Sequence, residues 1–205
     1  MYFEKAAEQG LGGSQNNLGV LYLNGRGCEQ SYDKAAEWLD KAARQGDADA
    51  MAVLGGLYLK GDGVPQNFKR AFELYQQSRA LGDTDPVIIA NLGVLYVNGH
   101  GVAKDYQEAR RFFALASAQG CAPATEYLNE LDEKIHTECP LLGKRVVIAG
   151  TSREDINGRT GMATSFDHAR DRYVVELDAG GKGKGKLMLK PENLGLAGRK
   201  QRKGR

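Results

Sequence analysis

The sequence predicts an all-α solenoid of stacked helical hairpins followed by a small all-β module. Three observations carry that prediction. The first two thirds of the chain align with themselves in three windows. The apolar periodicity changes after His136. The charge splits at the same place: residues 1–138 carry 13 Lys+Arg against 19 Asp+Glu, a net of −6, and residues 139–205 carry 15 against 7, a net of +8. At 205 residues, 41% hydrophobic and 26% charged, the chain is sized for one domain plus a small second one.

The windows begin at Asn17 (NLGVLYLNGRGCEQSYDKAAEWLDKAARQG), Val53 (VLGGLYLKGDGVPQNFKRAFELYQQSRALG) and Asn91 (NLGVLYVNGHGVAKDYQEARRFFALASAQG). They are spaced by 36 and 38 residues, and the stretch Asp83 to Ala90 holds the two extra. The invariant columns are Gly19/Gly55/Gly93, Tyr22/Tyr58/Tyr96, Gly25/Gly61/Gly99, Gly27/Gly63/Gly101, Ala35/Ala71/Ala109 and Gly46/Gly82/Gly120.

Each window reads as two helices. The first, Ala50 to Leu59 in the second window, is apolar, and its Gly55 lets a neighbour approach the backbone. Gly61 and Gly63 then break the chain. The second helix, from about Asn67 to Ala80, places Phe68, Ala71, Leu74, Tyr75 and Ser78 on one face. Gly82 ends it and Asp83 caps the next helix, as Gly46 and Asp47 do one window earlier. One hairpin cannot bury its apolar face, but stacked hairpins can. The recurring Leu, Tyr, Ala and Trp38 are therefore read as packing.

The pattern LG.LY..G.GV…A..W…AA.QG resembles the Sel-1-like repeat family, relatives of the tetratricopeptide repeat with a longer connection between helices. The resemblance covers residues 1 to about 137, departing at the insertion and at Cys28. It implies a right-handed α/α superhelix that binds other proteins or peptides as a scaffold. Lys5 to Gly10 match Lys41 to Gly46, so the register predicts repeats upstream of Met1, and with them any targeting segment. Ala122 to about Ile135, with Leu128-Asn129 in place of Leu-Gly and many charges, reads as a closing cap. The expected domains are the solenoid at 1–137, a β module at 138–195 and a basic disordered tail at 196–205.

Lys144 to Ile148, Gly161 to Phe166, Arg172 to Leu177 and Lys186 to Leu189 read as strands, with turn chemistry at Asn157-Gly158 and Ala179 to Gly185. Gly143 to Gly150, Asn157 to Gly161, Arg172 to Leu177 and Leu189 to Leu194 are similar to a small SH3-like barrel. Val146 to Ala163 is also similar to the KOW element of ribosomal and elongation proteins. Neither likeness names a ligand.

No constellation of catalytic groups is visible, and no enzyme activity or cofactor is expected. The stretch Gly180 to Gly185 lies between strands and opens no helix, so it is not a dinucleotide loop. His136 and Cys139 lack a second close pair, so no metal is expected. His100 and His168 fall in exposed loop and turn positions, and Cys28 in an apolar column. Three scattered cysteines, no Asn-x-Ser/Thr and no long apolar run point to a reducing intracellular compartment, cytoplasmic or nuclear, away from membranes.

In stacked hairpins the first helices line the concave face. Positions that vary there are the candidates for partner contact: Asn17/Val53/Asn91, Val20/Gly56/Val94 and Asn24/Lys60/Asn98, with Asn17, Asn24, Lys60, Asn91 and Asn98 as hydrogen-bonding residues. The alternative function is nucleic-acid association, with Arg172, Lys182, Lys184, Lys186, Arg199 and Lys200 meeting phosphate. A regulatory subunit of an enzyme would differ from a scaffold only in its partner.

Overall fold

The computed structural model describes residues 2–178 and 185–198. Eight helices come first: α1 (Tyr2–Glu8), α2 (Gly12–Asn24), α3 (Tyr32–Arg44), α4 (Ala48–Lys60), α5 (Phe68–Ala80), α6 (Pro86–Asn98), α7 (Tyr106–Ala118) and α8 (Ala122–Glu138). Five strands come next: β1 (Arg145–Ile148), β2 (Thr160–Asp167), β3 (Arg172–Leu177), β4 (Lys186–Leu189) and β5 (Leu194–Leu196), with a 3-10 turn, Pro191–Asn193, before the last.

The hairpins α2–α3, α4–α5 and α6–α7 are built alike. Each first helix stops at a left-handed glycine (Gly25, Gly61, Gly99), whose N–H donates to the carbonyl of Leu21, Leu57 or Leu95. Each second helix starts at a side-chain cap. Ser31 accepts from the Lys34 N–H, Asn67 from that of Arg70, and Asp105 from those of Gln107 and Glu108. The capping residue's own N–H donates to the tyrosine column, at the carbonyls of Tyr22, Tyr58 and Tyr96. The connection is thus closed at both ends by backbone bonds.

Within a hairpin the second helix presses on a bare glycine. A Cβ on Gly19 would come within 2.7 Å of Leu39, on Gly55 within 2.8 Å of the Tyr75 ring, and on Gly93 within 2.5 Å of the Phe113 ring. Between hairpins the loop glycines do the same. A Cβ on Gly63 would meet the backbone of Tyr32 and Asp33 at the start of α3, and one on Gly101 that of Phe68 and Lys69 at the start of α5. His100 is exposed as expected and stacks on Phe68, with ring centroids 4.1 Å apart.

The insertion moves a cap. Asp47 caps α4 at the Ala50 N–H (2.9 Å), as the sequence suggested. Asp83 does not cap α6. It accepts a bond from the Ser78 hydroxyl (2.6 Å) and another from the Asp85 N–H (2.8 Å). Asp85, two residues on, caps α6 at Val87, and Pro86 opens the helix.

The strands form one antiparallel sheet in the order β4-β3-β2-β1-β5. The closed barrel expected from the sequence is not formed, because β4 and β5 are the two edges of an open sheet. The physical reason lies in what covers the inner face. Val146, Ile148, Ala163, Tyr173 and Val175 belong to one buried cluster with Tyr106, Ala109 and Phe113 of α7 and Leu131 of α8. Helices supply the apolar cover that ring closure would otherwise provide. Polar contacts fasten the junction. The Tyr106 hydroxyl donates to Glu138 (2.5 Å), the Leu141 N–H donates to the Tyr173 hydroxyl (3.2 Å), and the His168 ring meets Tyr106 edge-on at 4.6 Å. The strands run one residue past the expected boundary at 195, and α8 one past 137.

The junction is expected to weaken in acid. The Tyr106 hydroxyl holds the Glu138 carboxyl below its ordinary range, so its stabilisation is present at neutral pH and lost as pH falls below about 4.5. Burial lowers the His168 imidazole, so protonation opposes folding as pH falls below about 6.5. Equilibrium unfolding across this range should show stability declining in both windows. Tyr106→Phe should cost about 1 kcal/mol at pH 7 and flatten only the lower window. Separately, Gly55→Ala or Gly93→Ala should destabilise by about 1–3 kcal/mol through overpacking. Gly13→Ala, where a Cβ meets nothing within 4 Å, should stabilise by about 0.5–1 kcal/mol. Urea midpoints of the three variants check the contrast.

Candidate partner-binding face

The first helices α2, α4, α6 and α8 share one face of the array, and the candidate residues lie along it. Asn17 is exposed, and its side chain makes no hydrogen bond with any described residue. Asn24 and Asn98 are exposed near the helix ends, and each folds its Nδ2 back onto its own helix, at Val20 O (2.9 Å) and Val94 O (3.0 Å). Each keeps its Oδ1 as an acceptor for a partner. Lys60 is exposed at the end of α4. Asn91 differs, because it is half-buried and its Nδ2 donates to the Tyr75 hydroxyl (3.3 Å). Burial pushes that phenol up to about 12, so it stays protonated. Asn91 therefore fastens α6 to α5.

Two recesses lie on this face. One, about 380 Å³ between α2 and α4, has Leu23, Val53 and Leu57 as apolar lining and brings Asn24 together with Lys60. The other, about 280 Å³ between α6 and α8, has Val94, Val97, Phe113 and Leu131 as its floor and Asn98 at its rim. Its remaining lining, Tyr127, Glu130 and Lys134, comes from α8. Sequence reasoning missed these three. The signal was available: aligning Leu128 with Leu92 puts them in the columns of Asn91, Val94 and Asn98.

Two of the cationic candidates, Arg172 and Lys186, fall among the described residues. Arg172, the first residue of β3, sits opposite Asp167 of β2, and Lys186 of β4 sits opposite Glu176 near the other end of β3. Arg145, Arg153, Arg170 and Lys190 pair with Asp178, Asp155, Asp167 and Glu192. Lys182, Lys184, Arg199 and Lys200 lie outside the described residues. Among the described residues no group of three or more His, Cys, Asp or Glu is placed to hold a metal, and no helix is long and apolar enough to cross a membrane.

Hairpins of this geometry define an α/α repeat array, and comparison with known proteins gives the family. The Sel1 repeat model matches residues 1–11, 13–47, 48–83 and 89–121, so the chain belongs to the Sel1 repeat family. A Sel1 repeat protein from Oxalobacter formigenes is similar at 37% identity and a TM-score of 0.53, over 63% of this chain and 96% of that one. A protective antigen of uropathogenic Escherichia coli strains, described as displaying an SLR fold, is similar at 31% identity and a TM-score of 0.59. That match covers 65% of this chain but only 28% of the antigen. No curated protein matches. The family match ends at residue 121, before α8 and the sheet.

Stability should separate the asparagines. Asn91→Ala should cost about 0.5–1.5 kcal/mol, the worth of one ordinary hydrogen bond, whereas Asn17→Ala should leave the thermal midpoint unchanged. Differential scanning calorimetry of the two variants reads this directly.

Proposed function

We propose that the chain is a non-catalytic scaffold that holds partner proteins through extended segments laid along the first-helix face. The observation that carries this reading is the pair of recesses on that face, each combining an apolar lining with an amide at its edge. Such a surface suits a polypeptide, with hydrocarbon for its side chains and free Oδ1 acceptors for its backbone N–H groups. Membership of the Sel1 repeat family supports the same reading. The strand order and the 3-10 turn before β5 support an SH3-like descent for the sheet, which we infer to serve as a second contact surface. Among the described residues Arg145, Arg153, Arg170 and Lys190 each pair with a carboxylate, which leaves less of the module's positive charge for a nucleic-acid role.

Affinity capture with the full chain tests the reading. A triple variant, Asn24→Ala, Lys60→Ala and Asn98→Ala, should keep its melting temperature within about 2 °C, since all three sites are exposed. It should lose the proteins that the unmodified chain retains. Identical retention by both would refute the groove.

A further inference from the structure

The recess between α6 and α8 has an unbalanced lining. Lys134 lines it, yet its ammonium is drawn aside, 3.9 Å from Glu138 Oε1 and 5.8 Å from the centre of the Tyr106 ring. Asn98 spends its N–H on the Val94 carbonyl and keeps an acceptor. Glu130 is exposed, with no hydrogen bond or ion pair to any described residue. The Tyr127 ring stands beside it, 40% exposed, in tilted contact with Phe113 at 5.4 Å. The polar groups left for a ligand are a carboxylate, an amide oxygen and a ring face, and all three favour a cation.

From this we infer that the recess receives one lysine or arginine side chain of a partner protein. The inference rests on the reading of this face as a partner groove. Val94, Val97 and Leu131 take the aliphatic stem of such a side chain, while its charged head reaches Glu130 and Tyr127. A purely apolar side chain would fill the same space but make no use of the Glu130 carboxylate or the Asn98 Oδ1. A volume of about 280 Å³ falls just below the range of small-molecule sites and suits a single long side chain. The net charge of −6 on residues 1–138 draws a basic segment toward the array before contact.

The test uses the full chain, isotope-labelled for amide NMR, and three synthetic peptides. They share a Gly/Ser/Ala host sequence and carry arginine, norleucine or glutamate at one central position. The arginine peptide should shift the resonances of Val94, Val97 and Tyr127, and the norleucine peptide should bind about tenfold more weakly. Glu130→Gln should weaken the arginine peptide by about the same factor and leave norleucine unchanged. Glu130→Lys, checked for an unchanged melting temperature, should shift preference to the glutamate peptide. Equal binding of arginine and norleucine, or indifference to Glu130→Gln, would overturn the cation assignment while leaving the groove reading in place. Shifts from no peptide anywhere on the first-helix face would overturn both. Binding seen only after removal of residues 199–205 would assign the recess to the chain's own cationic end and overturn the partner assignment.

Discussion

The array depends on methyl groups that are absent. At Gly19, Gly55 and Gly93 the second helix of each hairpin lies so close that a Cβ would overlap Leu39, Tyr75 or Phe113. That approach buries the bulky residue against helix backbone and sets the spacing within the hairpin. Gly63 and Gly101 repeat the device between hairpins, where the loop of one unit rests on the first residues of the preceding second helix. The direction of the first-helix face, and the recesses on it, derive from these two contacts. The partner surface is thus a consequence of packing at positions that never touch a partner.

The electrostatic division of the chain has a local counterpart. Among the described residues that follow α8, Arg145, Arg153, Arg170 and Lys190 each stand beside a carboxylate of the same module. On α8 the order is reversed, because Glu130 is left without a partner while Lys134 is held toward Glu138. Net charge alone would assign ligand preference by domain. The pairing pattern assigns it by individual side chain.

Much of this was legible in the sequence, for a physical reason. Hairpin structure depends on local periodicity, glycine placement and caps, all of which recur along the chain. The strands were legible from alternation, since Val146, Ile148, Tyr173 and Val175 point inward as their spacing requires. Closure of the sheet was not legible. Whether an edge meets another edge depends on what packs inside, and the packing here comes from α7 and α8. Asp83 misled because two inserted residues shift a cap without changing its chemistry. On the candidate face the asparagine columns were visible, but the structural duty of Asn91 toward Tyr75 was not, since the two are sixteen positions apart. Tyr127, Glu130 and Lys134 were overlooked because α8 was read only as a cap.

The shared core of α7, α8 and the sheet has a consequence for how such a chain can change by genetic rearrangement. A crossover at a boundary such as Gly46 cuts the buried cluster shared by α3 and α4, but the repeating Leu and Ala columns let an added or removed hairpin meet an equivalent surface. A crossover at Cys139 divides a single buried cluster, since Cys139 itself is wholly enclosed within it. The smallest heritable block at this end is therefore the last hairpin with α8 and the sheet. The array can lengthen or shorten elsewhere, but its final recess and the sheet beside it are inherited together.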